Sequence, residues 1–123
     1  MRTLPVITLF ALLTLTWASI ALAESFDVNP QPFLDSENFR RMKSEYRQCV
    51  LQRGSQLLKV ENFETAVTYA PLACRRDLLK IKRLMLGSAF KVEVANGLLS
   101  SIAEGVEIDL VNALLEQKMG ESL

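Results

Sequence analysis

Few residues in this chain have types and spacing that could do chemistry. Cys49 and Cys74 are its two cysteines, and it has no histidine. Two thiolates could bridge, bind a metal or act as nucleophiles. A structural zinc site takes four ligands, so two sulfurs without imidazole fall short. A Ser or Cys nucleophile usually needs a general base, most often His, and nothing in the sequence points to a lysine dyad in its place. Glu104, Glu107 and Asp109 form the one close carboxylate cluster. It could hold a divalent cation or supply an acid/base pair, but it reads better as a solvated helix start, where negative charge offsets the helix dipole. Glu61 and Glu64 read the same way. No Gly-rich phosphate loop, P-loop or dinucleotide fingerprint is present. The sequence therefore predicts no catalytic residue, no metal site and no cofactor, and the chain is read as not an enzyme.

Charge is distributed more tellingly than it is totalled. The whole chain carries 14 basic and 14 acidic residues. Residues 39–91 hold 12 Lys and Arg against four acids, whereas residues 92–123 hold six acids and one Lys. A segment this basic can recognise an anionic partner, or can be balanced by the acidic tail packing beside it. Arg40, Arg41, Arg47, Arg75, Arg76, Lys80 and Arg83 are the predicted binding patch. Nucleic acid is the least favoured anion, because the bases lack interleaved aromatics.

The first 23 residues place those groups in a compartment. Met1-Arg2 supplies one charge, Thr3–Ala23 has none, and the apolar run ends in Ala21-Leu22-Ala23 before Glu24. This is the order of a cleavable secretory signal. A membrane anchor competes, since about 20 apolar residues can span a bilayer. Thr8, Thr14, Thr16 and Ser19 dilute the run, and no basic stop-transfer flank follows. The mature chain is thus predicted to run from Glu24, to be periplasmic or secreted, and not to be transmembrane. In an exported chain an even number of cysteines reads first as a disulfide.

The elements that must position the cysteines are helical. Residues 24–35, with Pro30 and Pro32, read as an extended arm whose phenylalanines, Phe26 and Phe33, pack on the domain or, as the lesser alternative, anchor a partner. Ser36 offers an N-cap. Phe39, Met42, Tyr46, Cys49, Val50, Leu57 and Leu58 then recur at mostly helical steps. Gly54-Ser55 is a weak point that can bend or end this helix. Residues 59–62 read as a turn, and a second helix follows from Phe63 to Leu86. Its stripe is Phe63, Val67, Ala70, Cys74, Leu78, Ile81 and Met85, with a kink or a short break around Tyr69-Ala70 caused by Pro71 and a cap at Gly87. Residues whose numbers sum to a constant lie level in an antiparallel pair. Cys49 therefore faces Cys74, Met42 faces Ile81, and Leu57 faces Ala66 or Val67. Each cysteine also lies in its helix's apolar stripe.

After Ser88 two readings compete. Ala95, Leu98, Leu99, Ile102, Val106, Leu110, Val111, Leu114 and Leu115 keep helical spacing, with a break allowed near Gly105. Against this, Phe90–Val94 alternates at period two and Asn96-Gly97 suits a hairpin turn. Helix is the preferred reading. In the plainer reading these apolar residues form core; in the sharper one they exceed what one hairpin covers, and Leu110 and Leu114 form a partner or homodimer interface. Residues 120–123 read as a frayed tail. The fold class expected is all-α: a disulfide-linked antiparallel helical hairpin plus one or two C-terminal helices, in a single domain over residues 36–119.

The pattern Tyr46-Arg-Gln-Cys49-Val50, then Ala66, Ala70 and Ala73-Cys74-Arg75, resembles small exported proteins of proteobacteria. These carry a Y-x-x-C helix, a turn and an A-x-x-x-A…A-C helix behind a signal peptide. The resemblance implies a helical periplasmic domain with a Cys49–Cys74 bridge and supplies no activity. Together these readings predict a binding or adaptor protein whose partner is a protein or an anionic envelope component. A structural subunit of an envelope assembly and an inhibitor or immunity-type protein are the alternatives.

Overall fold

The computed structural model describes residues 30–121. The predicted leader, its cleavage point, residues 24–29 of the arm, and Ser122 and Leu123 lie outside the described residues. Five helices follow in order: α1 (Gln31–Leu34), α2 (Glu37–Val60), α3 (Phe63–Ala73), α4 (Arg75–Leu86) and α5 (Val92–Glu121). Among the described residues there is no strand. The expected all-α, disulfide-linked hairpin is what forms.

The end of the predicted extended arm is instead a helical turn. Pro32 lies in the first turn of α1, where a missing N–H costs no helix hydrogen bond and a fixed φ suits the helix. Asp35 N–H donates to Gln31 O at 3.0 Å, and Ser36 N–H to Phe33 O at 3.0 Å. Phe33 anchors the turn, with its ring centroid 5.2 Å from Phe39 and 4.9 Å from Phe90.

Ser36 caps α2, its Oγ accepting from the Phe39 N–H at 3.3 Å. Asn62 caps α3, its Oδ1 accepting from the Thr65 N–H at 2.8 Å. The expected four-residue turn shortens to Glu61 and Asn62, because α2 runs on through Val60. It also runs unbroken through Gly54-Ser55. Gly54 is buried, and a Cβ built on it would collide with Leu110 Cδ1 on α5. The glycine makes room for the Leu110 side chain and is not a weak point.

The second helix divides, but not where proline was expected to kink it. Helical structure continues through Pro71, and the interruption falls at Cys74, with φ −104° and ψ 13°. There the bonds tighten: Cys74 N–H donates to Pro71 O at 3.2 Å, and Asp77 N–H to Cys74 O at 3.0 Å. These i→i−3 bonds turn the chain more tightly than an α-helix does. Gly87 follows α4 in a right-handed conformation, and the left-handed residue is Ala89, at φ 64°. For a residue with a Cβ that conformation costs roughly 1 kcal/mol.

Helix wins over hairpin after Lys91. Ala95, Leu99, Ile102, Val106, Leu110 and Leu114 form one buried stripe along α5, and no sheet edge among the described residues could receive a strand there. No break occurs at Gly105, and the predicted frayed tail is still helical at Gly120 and Glu121.

Two links fix the register of α5. Arg47 Nε donates to Asp109 Oδ2 at 3.0 Å, and Gln117 Nε2 donates to Ser55 O at 3.3 Å. Both join residues 62 apart in sequence, so α2 and α5 run parallel. The α3–α4 limb returns against α2, held to it by the disulfide. The result is an up–down–up bundle whose middle limb is interrupted at Cys74. One core cluster receives Phe39, Tyr46 and Val50 from α2, Ala66 and Ala70 from α3, Ile81 and Met85 from α4, and the α5 stripe.

Candidate functional site

Cys49 and Cys74 are bonded, with their Cα atoms 6.0 Å apart. Cys74 is buried at the junction of α3 and α4, and the bond ties that junction to the middle of α2. Neither sulfur is available as a nucleophile or ligand.

The carboxylate cluster does not converge. Asp109 is taken up by Arg47 at 3.0 Å, while Glu104 and Glu107 are exposed. Among the described residues no three Cys, Asp or Glu side chains are grouped to hold a metal ion. Glu107 acts locally on Tyr46, which is buried in the core. Burial first, and the charge of Glu107 second, push the phenol above its ordinary pKa.

The predicted interface at Leu110 and Leu114 is contradicted. Both are fully buried, at 0% and 1% exposure, in the core. They belong to the inward stripe that covers α2 and the α3–α4 limb. The apolar residues that α5 leaves in solvent are others, notably Ile108, Leu115 and Met119. At 3.6 residues per turn these lie on the side opposite the stripe. Glu104, Glu107, Ile108, Val111 and Asn112 line a shallow surface depression there.

The predicted basic patch separates into two groups. Four of its members have acidic neighbours: Arg40 with Asp35 at 3.8 Å, Arg41 with Glu45 at 3.8 Å, Arg47 with Asp109 at 3.0 Å and Lys80 with Asp77 at 3.7 Å. None of these pairs is buried, and ion pairs of this accessible type add at most about 1 kcal/mol each. Of these four pairs, the Arg47 pair joins the basic hairpin to the acidic last helix. Arg75, Arg76 and Arg83 are exposed, and none of the ion pairs or side-chain hydrogen bonds among the described residues involves them.

Those three arginines share one face of α4. Ile81 and Met85 point α4 into the core, and the helical period then sends Leu79 and Leu86 to the opposite side. Leu79 is 47% exposed and Leu86 43%. Arg75, Arg76, Lys82 and Arg83 fall within roughly 60° of that outward line. Lys82 and the two leucines are members of this face that the patch prediction omitted. The signal for them was already in the sequence, because the Ile81 and Met85 positions determine which residues must face away. Over its length α4 carries five Lys and Arg and one acid, Asp77.

A second apolar opening lies between the end of α2 and α3. It is an open groove of about 480 Å³ lined by Arg53, Leu57, Val60, Tyr69 and Leu72 among others. Tyr69 stands more than half exposed there.

Among the described residues no helix is long and apolar enough to cross a membrane. Comparison of the chain with protein-family models, with curated proteins and with solved structures returned no match.

Proposed function

We propose that this protein is exported to the periplasm or beyond and works there by binding, without catalysis, holding an anionic partner against the outward face of α4. Export is the reading of the Met1–Ala23 leader and agrees with the disulfide, which persists outside the reducing cytosol. The resemblance of the Tyr46–Cys49 and Ala66–Cys74 segments to small exported proteobacterial proteins supports the same compartment. The observation that carries the binding reading is the set Arg75, Arg76 and Arg83. Among the described residues none of these charges is held in an ion pair, and they sit together on one helix.

The test is retention of the purified protein on isolated envelope membranes and cell wall. Each Lys or Arg near an anionic surface contributes about 1 kcal/mol. Reversing three of them, as Arg75→Glu, Arg76→Glu and Arg83→Glu, should lower retention by about 100-fold and flatten its dependence on salt. The control Arg40→Glu with Arg41→Glu should leave most of the retention in place, since both arginines already sit beside acids. Equal retention of the triple variant and the parent would contradict the proposal.

Self-association is a second reading, favoured by Ile108, Leu115 and Met119, which stand in solvent on α5. A second copy of the chain would meet this outward stripe, not Leu110 and Leu114.

A further inference from the structure

We propose that the anionic partner is the surface of a phospholipid bilayer, with Leu79 and Leu86 entering its interfacial layer while Arg75, Arg76, Lys82 and Arg83 bind lipid phosphates around them. This rests on the anion-binding reading of α4 and adds the class of partner. A soluble polyanion needs the cations and has no use for the leucines. A bilayer surface uses both, because an amphipathic helix lying in the headgroup region buries apolar side chains and pairs its bases with anionic lipid. The long stems of Arg and Lys let the charged heads stay at phosphate level while the helix sits deeper. Two leucines seven residues apart on α4 lie two turns apart on one line, so they can enter a flat surface together.

Charge complementarity also sets an orientation. The face of α4 holds four of the helix's five bases, whereas α5 carries six acids and one base, Lys118. An anionic bilayer attracts the first helix and repels the second, so the molecule docks with α4 toward the lipid. The mode is peripheral, as none of the described helices can span the membrane.

The experiment is co-sedimentation of the exported form, residues 24–123, with vesicles of phosphatidylglycerol and phosphatidylcholine mixed, with vesicles of phosphatidylcholine alone, and binding to soluble polyphosphate as a separate arm. The parent is expected to bind the anionic vesicles and to ignore the neutral ones. Leu79→Ser with Leu86→Ser is expected to lose about tenfold or more on anionic vesicles while binding polyphosphate as the parent does. Both positions are solvent-exposed, and an unchanged helical circular dichroism spectrum confirms that the variant folds. If the double serine variant binds anionic vesicles as well as the parent, the leucines do not enter lipid and the bilayer proposal falls. Binding to polyphosphate without binding to anionic vesicles would also overturn it, and would leave anion recognition by α4 standing. If the parent binds neither vesicles nor polyphosphate, both readings fail.

Discussion

Leu110→Glu is expected to leave the chain unfolded, and Leu115→Glu, five residues along the same helix, is expected to leave it folded. Leu110 is fully buried, and its Cδ1 occupies the space that Gly54 leaves open by having no Cβ. A carboxylate placed there has no cation among the core residues, which are apolar throughout. It must either stay charged without water or take up a proton, and the cavity left by the leucine adds to the cost. The sum exceeds about 4 kcal/mol, a large part of the 5–15 kcal/mol that holds a typical domain together. Leu115 is 44% exposed on the opposite side of α5, where a charge meets solvent and changes stability by about 0.5 kcal/mol or less. Circular dichroism at 222 nm and light scattering on both variants check this. If α5 joins two copies through its outward stripe, Leu115→Glu gives a helical monomer from a parent dimer. A folded Leu110→Glu variant would mean that the α2–α5 packing described above is wrong.

Replacing Cys49 and Cys74 together with alanine is expected to cost about 3–4 kcal/mol. The bridge closes a loop with a sequence separation of 25 residues, and the chain-entropy model assigns that magnitude to a loop of this size. Two features keep the effect from being absorbed. Cys74 is buried, so its sulfur leaves a small void. It is also the residue at which the middle limb is interrupted, so the bond fixes the one point where that limb has no α-helical bonding of its own. The measurement is urea unfolding of parent and variant. The midpoint should fall by about 1–4 M, for a slope of about 1–3 kcal/mol per molar, and the slope should rise as the unfolded chain expands. A shift worth less than 1 kcal/mol would show that packing alone sets the register of α2 against the returning limb.

How much of this was legible in the residues depends on which physical signal each feature left behind. The hairpin left two independent ones. Cys49 and Cys74 each sit in an apolar stripe, and their midpoint falls inside a segment with turn chemistry, so bridge and turn confirmed each other. Ser36 and Asn62 are local signals, read directly because a side-chain oxygen either meets the first amides of a helix or does not. The division at Cys74 was not legible. Pro71 announces a lost hydrogen bond but not where the chain relieves it, and relief came three residues later in i→i−3 bonds. For α5 the alternation of Phe90–Val94 is local, and it yielded to an apolar stripe from Ala95 to Leu114 with a whole bundle to bury it. An interface at Leu110 and Leu114 assumes that the apolar residues of the last helix exceed what one hairpin covers. They keep the phase of Ala95 and Leu99 and so belong inside. The true surplus is out of phase, at Ile108, Leu115 and Met119. The basic face of α4 follows the same logic. Its charges were visible, and the leucines among them appear once Ile81 and Met85 define the inward side.

All the functional readings stand on an exported chain whose two helical limbs are clamped by sulfur with α4 turned outward. Intact-mass analysis with thiol titration, on protein collected after export, tests that most directly. The expected result is a single species beginning at Glu24, two hydrogens lighter than its reduced form, with no titratable thiol. Free thiols on Cys49 and Cys74, or material that keeps residues 1–23 and stays in the cytoplasm, would contradict it.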